Sequence, residues 1–316
     1  MRLAARTVAL MAMCVACKPR ERTTIPPAHA PAQQVALSGA AVLVGAGDIG
    51  VCGRSADEQT AVLVDSVLKA DSAAGVQSVA FTVGDNAYPA GLDRDFVRCF
   101  GSSWGDRNKR IIKVIHPAIG NHDYQFQRGG AYYRYFGAKA GPAHKGYYSY
   151  DIGEWHAIVI NSEMISYGSR GERADQEEWL KKDLRERSRL CTVAYFHKPL
   201  YSSGAHGSNY AMQPLWRILA EAGVDLVING HEHHYERFRP MNAAGVLDTL
   251  NGMTQIIVGT GGGELTGIRS KVAENSDVQI QGHWGILIAA LGSGEYRTSF
   301  LDVNRQVWDA SGGKCH

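Results

Sequence analysis

Short runs of apolar, largely β-branched residues recur along the chain at Val42–Val44, Val79–Val83, Ile111–Ile115, Ala157–Ile160, Thr192–Phe196, Val224–Ile228 and Ile256–Val258. They are continuous rather than alternating, the pattern of strands buried on both faces. Segments of helical period lie between them. Ser55-Ala56-Asp57-Glu58 reads as a capping box opening a helix to about Lys69, with Ala61, Val64 and Leu68 on one face. A second helix is predicted from Asp175 to about Arg187, with Glu177 and Glu178 in its first turn and Arg185 and Arg187 in its last, complementing the helix dipole. A third runs from Pro214 to a stop at Gly223. There is no internal repeat and no linker between Leu37 and Asp309, so the pattern predicts one layered α/β domain.

Composition agrees: 45% apolar and 20% charged residues in a chain of 316 exclude wholesale disorder, collagen-like repeats and a disulfide-dense miniprotein. The N-terminus stands apart. Met1–Arg6 is basic and Thr7–Ala16 apolar but too short to span a bilayer, which reads as a secretory signal. Cys14-Val15-Ala16-Cys17 resembles the bacterial lipobox, with Cys14 where leucine is usual, and implies membrane attachment through a lipidated Cys17. The expected organisation is therefore a signal at 1–17, a tether at 18–36 containing Pro19, Pro26, Pro27 and Pro31, and a folded domain at 37–316. Such a protein would be exported to the bacterial cell envelope, facing the periplasm or the cell surface.

The net charge of +2 drops to zero without Arg2 and Arg6, and to −2 without Lys18, Arg20, Glu21 and Arg22. No overall positive field is left on the folded part, which argues against nucleic acid as a general partner. Export also changes the meaning of Cys52, Cys99, Cys191 and Cys315, since an oxidising compartment permits disulfides. Three connectivities are open. Cys52 and Cys99 follow two turns expected above neighbouring strand ends, so they are the expected bridge; Cys191 and Cys315 are then left over.

The chemistry lies just beyond the strands. Gly47-Asp48-Ile49-Gly50 follows the first run, Gly84-Asp85-Asn86-Ala87-Tyr88 the second, Gly120-Asn121-His122-Asp123 the third, His197 the fifth, and Gly230-His231-Glu232-His233-His234 the sixth. Ligands of open α/β sheets bind at the carboxyl ends of strands, so these groups should converge. Glycine before Asp48, Asp85, Asn121 and His231 is expected to supply the unusual backbone conformations of sharp turns. Gly45-Ala46-Gly47-Asp48-Ile49-Gly50 also matches a dinucleotide fingerprint, but an acid occupies the turn and the capped helix opens only at Ser55, so that reading fails. Asp48, Asp85, Tyr88, Asn121, His197, His231 and His233 offer oxygen and imidazole nitrogen without thiolate, a donor set suited to Fe, Zn or Mn. With one carboxylate shared, they make two sites of four ligands each.

These ordered motifs, GDIG, GDNAY, GNHD, YFH and GHEH, resemble those of the metallophosphoesterases, and specifically of the purple acid phosphatases, over about Val42 to Val258. Tyr88, three residues after Asp85, carries the narrower resemblance. Ala194 stands where the family's fourth motif normally has valine. The resemblance implies an α/β/β/α sandwich with metals at the carboxyl ends of the strands. It implies Fe(III) held by Asp48, Asp85, Tyr88 and His233, with Asp85 bridging to a divalent Zn, Fe or Mn ion held by Asn121, His197 and His231. It further implies hydrolysis of a small phosphate monoester by attack of a metal-bound hydroxide, with His122 and His206 contacting phosphate and protonating the leaving group. A phosphodiesterase acting on nucleotides or phospholipid headgroups would use the same metals, and a noncatalytic binding lipoprotein is the alternative of a different class.

Overall fold

In a computed structural model, which describes Leu37 and residues 40–316, the apolar runs become strands of two sheets. The expected signal and tether, 1–17 and 18–36, lie outside the described residues. In chain order the strands are β1 (Ala41–Ala46), β2 (Ser78–Val83), β3 (Ile115–Ala118), β4 (Tyr148–Ile152), β5 (Trp155–Val159), β6 (Cys191–Phe196), β7 (Leu226–Asn229), β8 (Tyr235–Phe238), β9 (Thr254–Val258), β10 (Ser276–Ile280), β11 (Gly285–Leu291), β12 (Glu295–Asp302) and β13 (Val307–Lys314). One sheet has the order β13-β12-β11-β1-β2-β3 and the other β10-β8-β9-β7-β6-β5-β4. Within them β1, β2 and β3 run parallel, as do β5, β6, β7 and β9.

The side-chain alternation explains why the runs are apolar throughout. Val193 and Tyr195 of β6, Leu226 and Ile228 of β7, and Ile256 and Val258 of β9 join the core shared with the first sheet. Their neighbours Ala194, Phe196, Val227 and Ile257 face a second core with Leu180 and Leu184 of the helix Arg170–Glu186 and Leu215, Trp216 and Leu219 of the helix Gln213–Glu221. Helix Ala56–Ala73 lies against β1 and β2 with Ala61, Val64 and Leu68 buried. The α/β sandwich expected from sequence is thus the observed fold.

Three local expectations are corrected. Ile111–Ile115 is not a strand: Ile111–Val114 form a helical turn and β3 begins at Ile115. A five-residue run of four aliphatic residues around Lys113 fits either element. Pro117 is tolerated inside β3 because that strand is at a sheet edge, and its carbonyl accepts the Tyr132 and Tyr148 hydroxyls at 2.9 Å each. Ser55 makes no side-chain cap, its backbone being helical (φ −106°, ψ 0°) rather than in the extended conformation a capping side chain needs. The realised capping box is Ser169 with Glu172, which starts the second helix at Arg170, so Glu177 and Glu178 lie beyond its first turn. The expected strands end at Val258, whereas β10 to β13 follow, and β11 pairs antiparallel with β1 in the first sheet.

Both cysteine pairs are disulfides: Cys52 with Cys99, Cα atoms 4.5 Å apart, and Cys191 with Cys315. The first links the segment after the Asp48 turn to the end of helix Asp93–Arg98; the second links the start of β6 to the end of the chain.

His156 on β5 ties the β4–β5 hairpin to helix Arg170–Glu186, its Nδ1 2.9 Å from Asp151 and its Nε2 2.8 Å from Asp183. Burial opposes a charge on the imidazole, but the two carboxylates outweigh it and raise its pKa above the ordinary value. A group raised on folding stabilises fully below its unfolded pKa, and that stabilisation is lost as pH rises through the native value. His156→Gln is therefore expected to lower the unfolding free energy measured by denaturant titration more at about pH 5 than at about pH 9.

Candidate metal centre

Asp48, Asp85, Asn121, His197 and His231 each sit one to three residues past the end of a strand, on β1, β2, β3, β6 and β7 respectively. Because the strands within each set are parallel, these turns share one edge of the sandwich. The turns are also bonded to one another beyond the ladders: Asp48 N–H donates to the Gly84 carbonyl at 3.0 Å, Ile49 N–H to the Asp85 carbonyl at 2.9 Å, and Gly230 N–H to the His197 carbonyl at 3.0 Å.

The backbone strain falls on the functional residues themselves. Asp48 (φ 59°), Asp85 (φ 49°) and His231 (φ 70°) all occupy the left-handed region, at a cost of about 1–3 kcal/mol each. Of the four preceding glycines, only Gly84 has positive φ (89°), which corrects the expectation that glycine supplies the turn. The others are required for room. A Cβ on Gly120 would collide with the Asp85 backbone nitrogen and carboxylate, and one on Gly230 would lie 2.6 Å from Asp48 Oδ2.

The seven expected ligands converge as two groups. The Tyr88 hydroxyl lies 3.1 Å from Asp48 Oδ1, 3.2 Å from Asp85 Oδ2 and 3.1 Å from His233 Nε2. His197 Nε2 lies 3.4 Å from the same Asp85 Oδ2, 3.0 Å from Asn121 Oδ1 and 3.2 Å from His231 Nδ1. Asp85 is therefore common to both. The imidazole orientations are set from behind: His197 Nδ1 faces the Val83 carbonyl at 2.8 Å and His233 Nδ1 the Glu264 carbonyl at 2.6 Å, so each directs Nε2 into the cluster. Burial grades outward. Asp48, Asp85 and His197 are buried, Tyr88, Asn121, His231 and His233 are partly exposed, and His206 is exposed.

Electrostatics show what the cluster favours. Burial opposes charge on His197, yet the Asp85 carboxylate raises it to about 10. Burial and the His197 charge push His231 down to about 2. His233 is likewise lifted to about 9 by Asp48, against burial. Burial together with the Asp48 and Asp85 charges raises Tyr88 well above its ordinary value. A proton on His197 and one on His233 thus occupy positions where lone pairs crowd around positive charge. Divalent or trivalent cations fit both groups, since they would replace those protons and supply the charge that a tyrosinate needs.

His122 donates its backbone N–H to Asp85 Oδ1 at 2.8 Å, with its Nε2 3.9 Å from Asp85 Oδ2 and its ring 4.6 Å from that of Tyr88. The His206 ring stacks on His231 at 4.6 Å. Both therefore flank the cluster from its open side.

Two contributions were missed from sequence. Asp123, assigned to no metal, is fully buried and accepts the N–H groups of Asn86, Ala87 and Gly120 and the Asn86 amide, locking the second and third turns together. Burial and then the Asp85 charge raise its carboxyl to about 7. The Gly259–Gly263 segment lines the centre as well: Gly261 N–H donates to the Gly47 carbonyl at 2.8 Å and Gly263 N–H to the Asp48 carbonyl at 2.7 Å. A glycine run directly after the Ile256–Val258 strand was the available signal.

Residues 42–235 match the Calcineurin-like phosphoesterase family, and the chain belongs to it. Similar proteins within that class include acid phosphatases. Acid phosphatase type 7 of Homo sapiens is 28% identical over 205 residues, 55% of this chain and 44% of that protein. Purple acid phosphatase 18 of Arabidopsis thaliana is 33% identical over 169 residues, 51% of this chain and 36% of that protein. The chain thus spans less than half the length of these curated relatives. The fold matches purple acid phosphatase PPD1 from yellow lupin (Lupinus luteus) with a TM-score of 0.73 at 19% identity, over 87% of this chain and 54% of that one. It also matches GAP50, the anchor in the inner membrane complex of Plasmodium, with a TM-score of 0.69 at 15% identity, over 88% and 89% of the two chains.

The contact at Gly120 gives a test of the centre. Gly120→Ala is expected to displace Asp85 and to lower the metal content per chain below that of the unsubstituted protein, by elemental analysis. The fold should survive, since such overpacking costs about 1–3 kcal/mol and leaves the far-UV circular dichroism unchanged.

Proposed function

We propose that the protein is a purple acid phosphatase-like enzyme hydrolysing phosphate monoesters at a dinuclear metal centre. The observation that carries this reading is the position of Asp85 Oδ2 between two complete donor groups, 3.2 Å from Tyr88 and 3.4 Å from His197. Asp48, Asp85, Tyr88 and His233 would hold Fe(III), and Asp85, Asn121, His197 and His231 a divalent Zn, Fe or Mn ion. Bound cations would neutralise the phosphate charge and make a water acidic enough to attack phosphorus. His122, next to Asn121 and beside Asp85, anchors the phosphate oxygens. His206 stands on the outer side of His231 and donates a proton to the leaving oxygen as its bond to phosphorus breaks. No phosphoenzyme is required.

Two disulfides support export, as such bonds persist in oxidising compartments. The cell envelope, with attachment through a lipidated Cys17, is the proposed location. Among the described residues no helix is long and apolar enough to cross a membrane.

The oxidised protein is expected to contain about two metal ions per chain and to show a visible tyrosinate-to-Fe(III) band. Tyr88→Phe should abolish the band while leaving the protein folded; colour that survives, or a single tightly bound metal, would overturn the assignment. A panel of phosphate mono- and diesters assayed alongside separates monoesterase from diesterase preference.

The roles of the two histidines separate by leaving group. His206→Ala is expected to lower turnover of an alkyl phosphate by about 100-fold and of an aryl phosphate with an acidic phenol only slightly. His122→Ala should impair both alike, because anchoring phosphate is indifferent to the leaving group.

A further inference from the structure

Between the two histidines of Gly230-His231-Glu232-His233, Glu232 turns the other way, into the protein, and is completely buried. Its carboxylate has no lysine or arginine partner among the described residues. Instead it accepts the backbone N–H of Gly207 at 2.7 Å and that of His206 at 3.2 Å, and its Oε2 lies 3.4 Å from His206 Nδ1. A buried carboxylate without a cation costs several kcal/mol unless hydrogen bonds satisfy it, so this loop is its principal compensation.

The turn that carries His206 is shaped to that carboxylate. Gly204 lies directly against it, where a Cβ would collide with Glu232 Oε2. Gly207, at φ 76°, closes the turn by donating to the Gly204 carbonyl at 3.1 Å. On the outer side Arg269 donates its Nη2 to the Ala205 carbonyl at 2.6 Å and its backbone N–H to Ser203 at 2.8 Å. The His206 side chain itself is 54% exposed, a degree at which a histidine ordinarily samples several rotamers. Here the ring is braced between the face of His231 and the Glu232 carboxylate at Nδ1, which leaves Nε2 as the nitrogen available to substrate.

We propose that Glu232 is the positioning residue for His206, fixing through two backbone N–H groups and the imidazole Nδ1 the side chain that protonates the leaving group. This rests on the role proposed above for His206. One tripeptide then supplies a ligand to each metal group and, from its middle residue, the anchor of the proton donor. Loop and metal centre are thereby held in register by a turn of three residues.

The test compares Glu232→Gln, Glu232→Asp and His206→Ala in the metal-loaded enzyme, each assayed on an alkyl phosphate and on an aryl phosphate with an acidic phenol. Glutamine keeps the shape and removes the charge; aspartate keeps the charge and withdraws it by one methylene. Both are expected to lower kcat for the alkyl ester by about tenfold or more and for the aryl ester by about twofold at most, with KM and metal content unchanged. Glu232→Gln combined with His206→Ala should cost no more than His206→Ala alone. The proposal is overturned if His206→Ala is leaving-group dependent while the Glu232 variants impair both esters equally or lose metal. If His206→Ala itself shows no leaving-group dependence, the reading of His206 fails and Glu232 falls with it. Metal content and thermal unfolding of every variant distinguish these outcomes from loss of fold.

Discussion

The Asp85 carboxylate is the constraint on which the rest of the centre depends. One of its oxygens lies within 3.4 Å of both Tyr88 and His197, and the other accepts the His122 backbone N–H. To stand there Asp85 adopts a left-handed backbone, and Gly120 must lack a side chain on the opposite wall. The cost of that conformation and of burying a charge is offset locally. Asp85 is held well below the usual carboxylate range by the His197 charge and hydrogen bond and by His122, although burial alone would raise it.

Around that residue the site is organised by depth. Its floor is buried acid and the His197 imidazole, oriented by the Val83 carbonyl; its middle layer, with His233 oriented by the Glu264 carbonyl, is partly exposed; its rim carries His122 and His206. Such grading suits ions that must be gripped from below yet keep open positions above. The supporting groups are as informative as the expected ligands. Asp123 knits two turns together with backbone N–H groups, and the buried pair of Lys198 Nζ and Glu163, 2.8 Å apart, lies next to His197 in the chain. GAP50, an anchor protein, shares this fold, so the architecture by itself does not imply catalysis.

The C-terminal strands have a quieter role. β11 pairs with β1 along five residues and so backs the strand that delivers Asp48. Thr260 and Gly285 join the end of β9 to β11 through a hydrogen bond at 2.9 Å. Without this half of the first sheet, β1 would be an edge strand paired with β2 alone.

Much of this protein is written in its sequence, for a physical reason. Strands buried on both faces must be largely apolar, and polar residues in the loops beyond them stand out sharply, so the sandwich and the seven residues that converge at its edge could be read from local runs. What sequence could not decide depended on groups distant in the chain. Ile111–Val114 coil because their neighbours, not their composition, choose the element. Ser55 fails as a cap through a backbone angle that its residue type does not set. Three turns find glycine needed for clearance rather than for conformation, because Asp85, Asp48 and Val83 approach from other strands. The inward turn of Glu232 toward a loop 26 residues earlier is of the same kind. Local patterns record burial and residue chemistry; only the packed sheets determine which distant atoms meet.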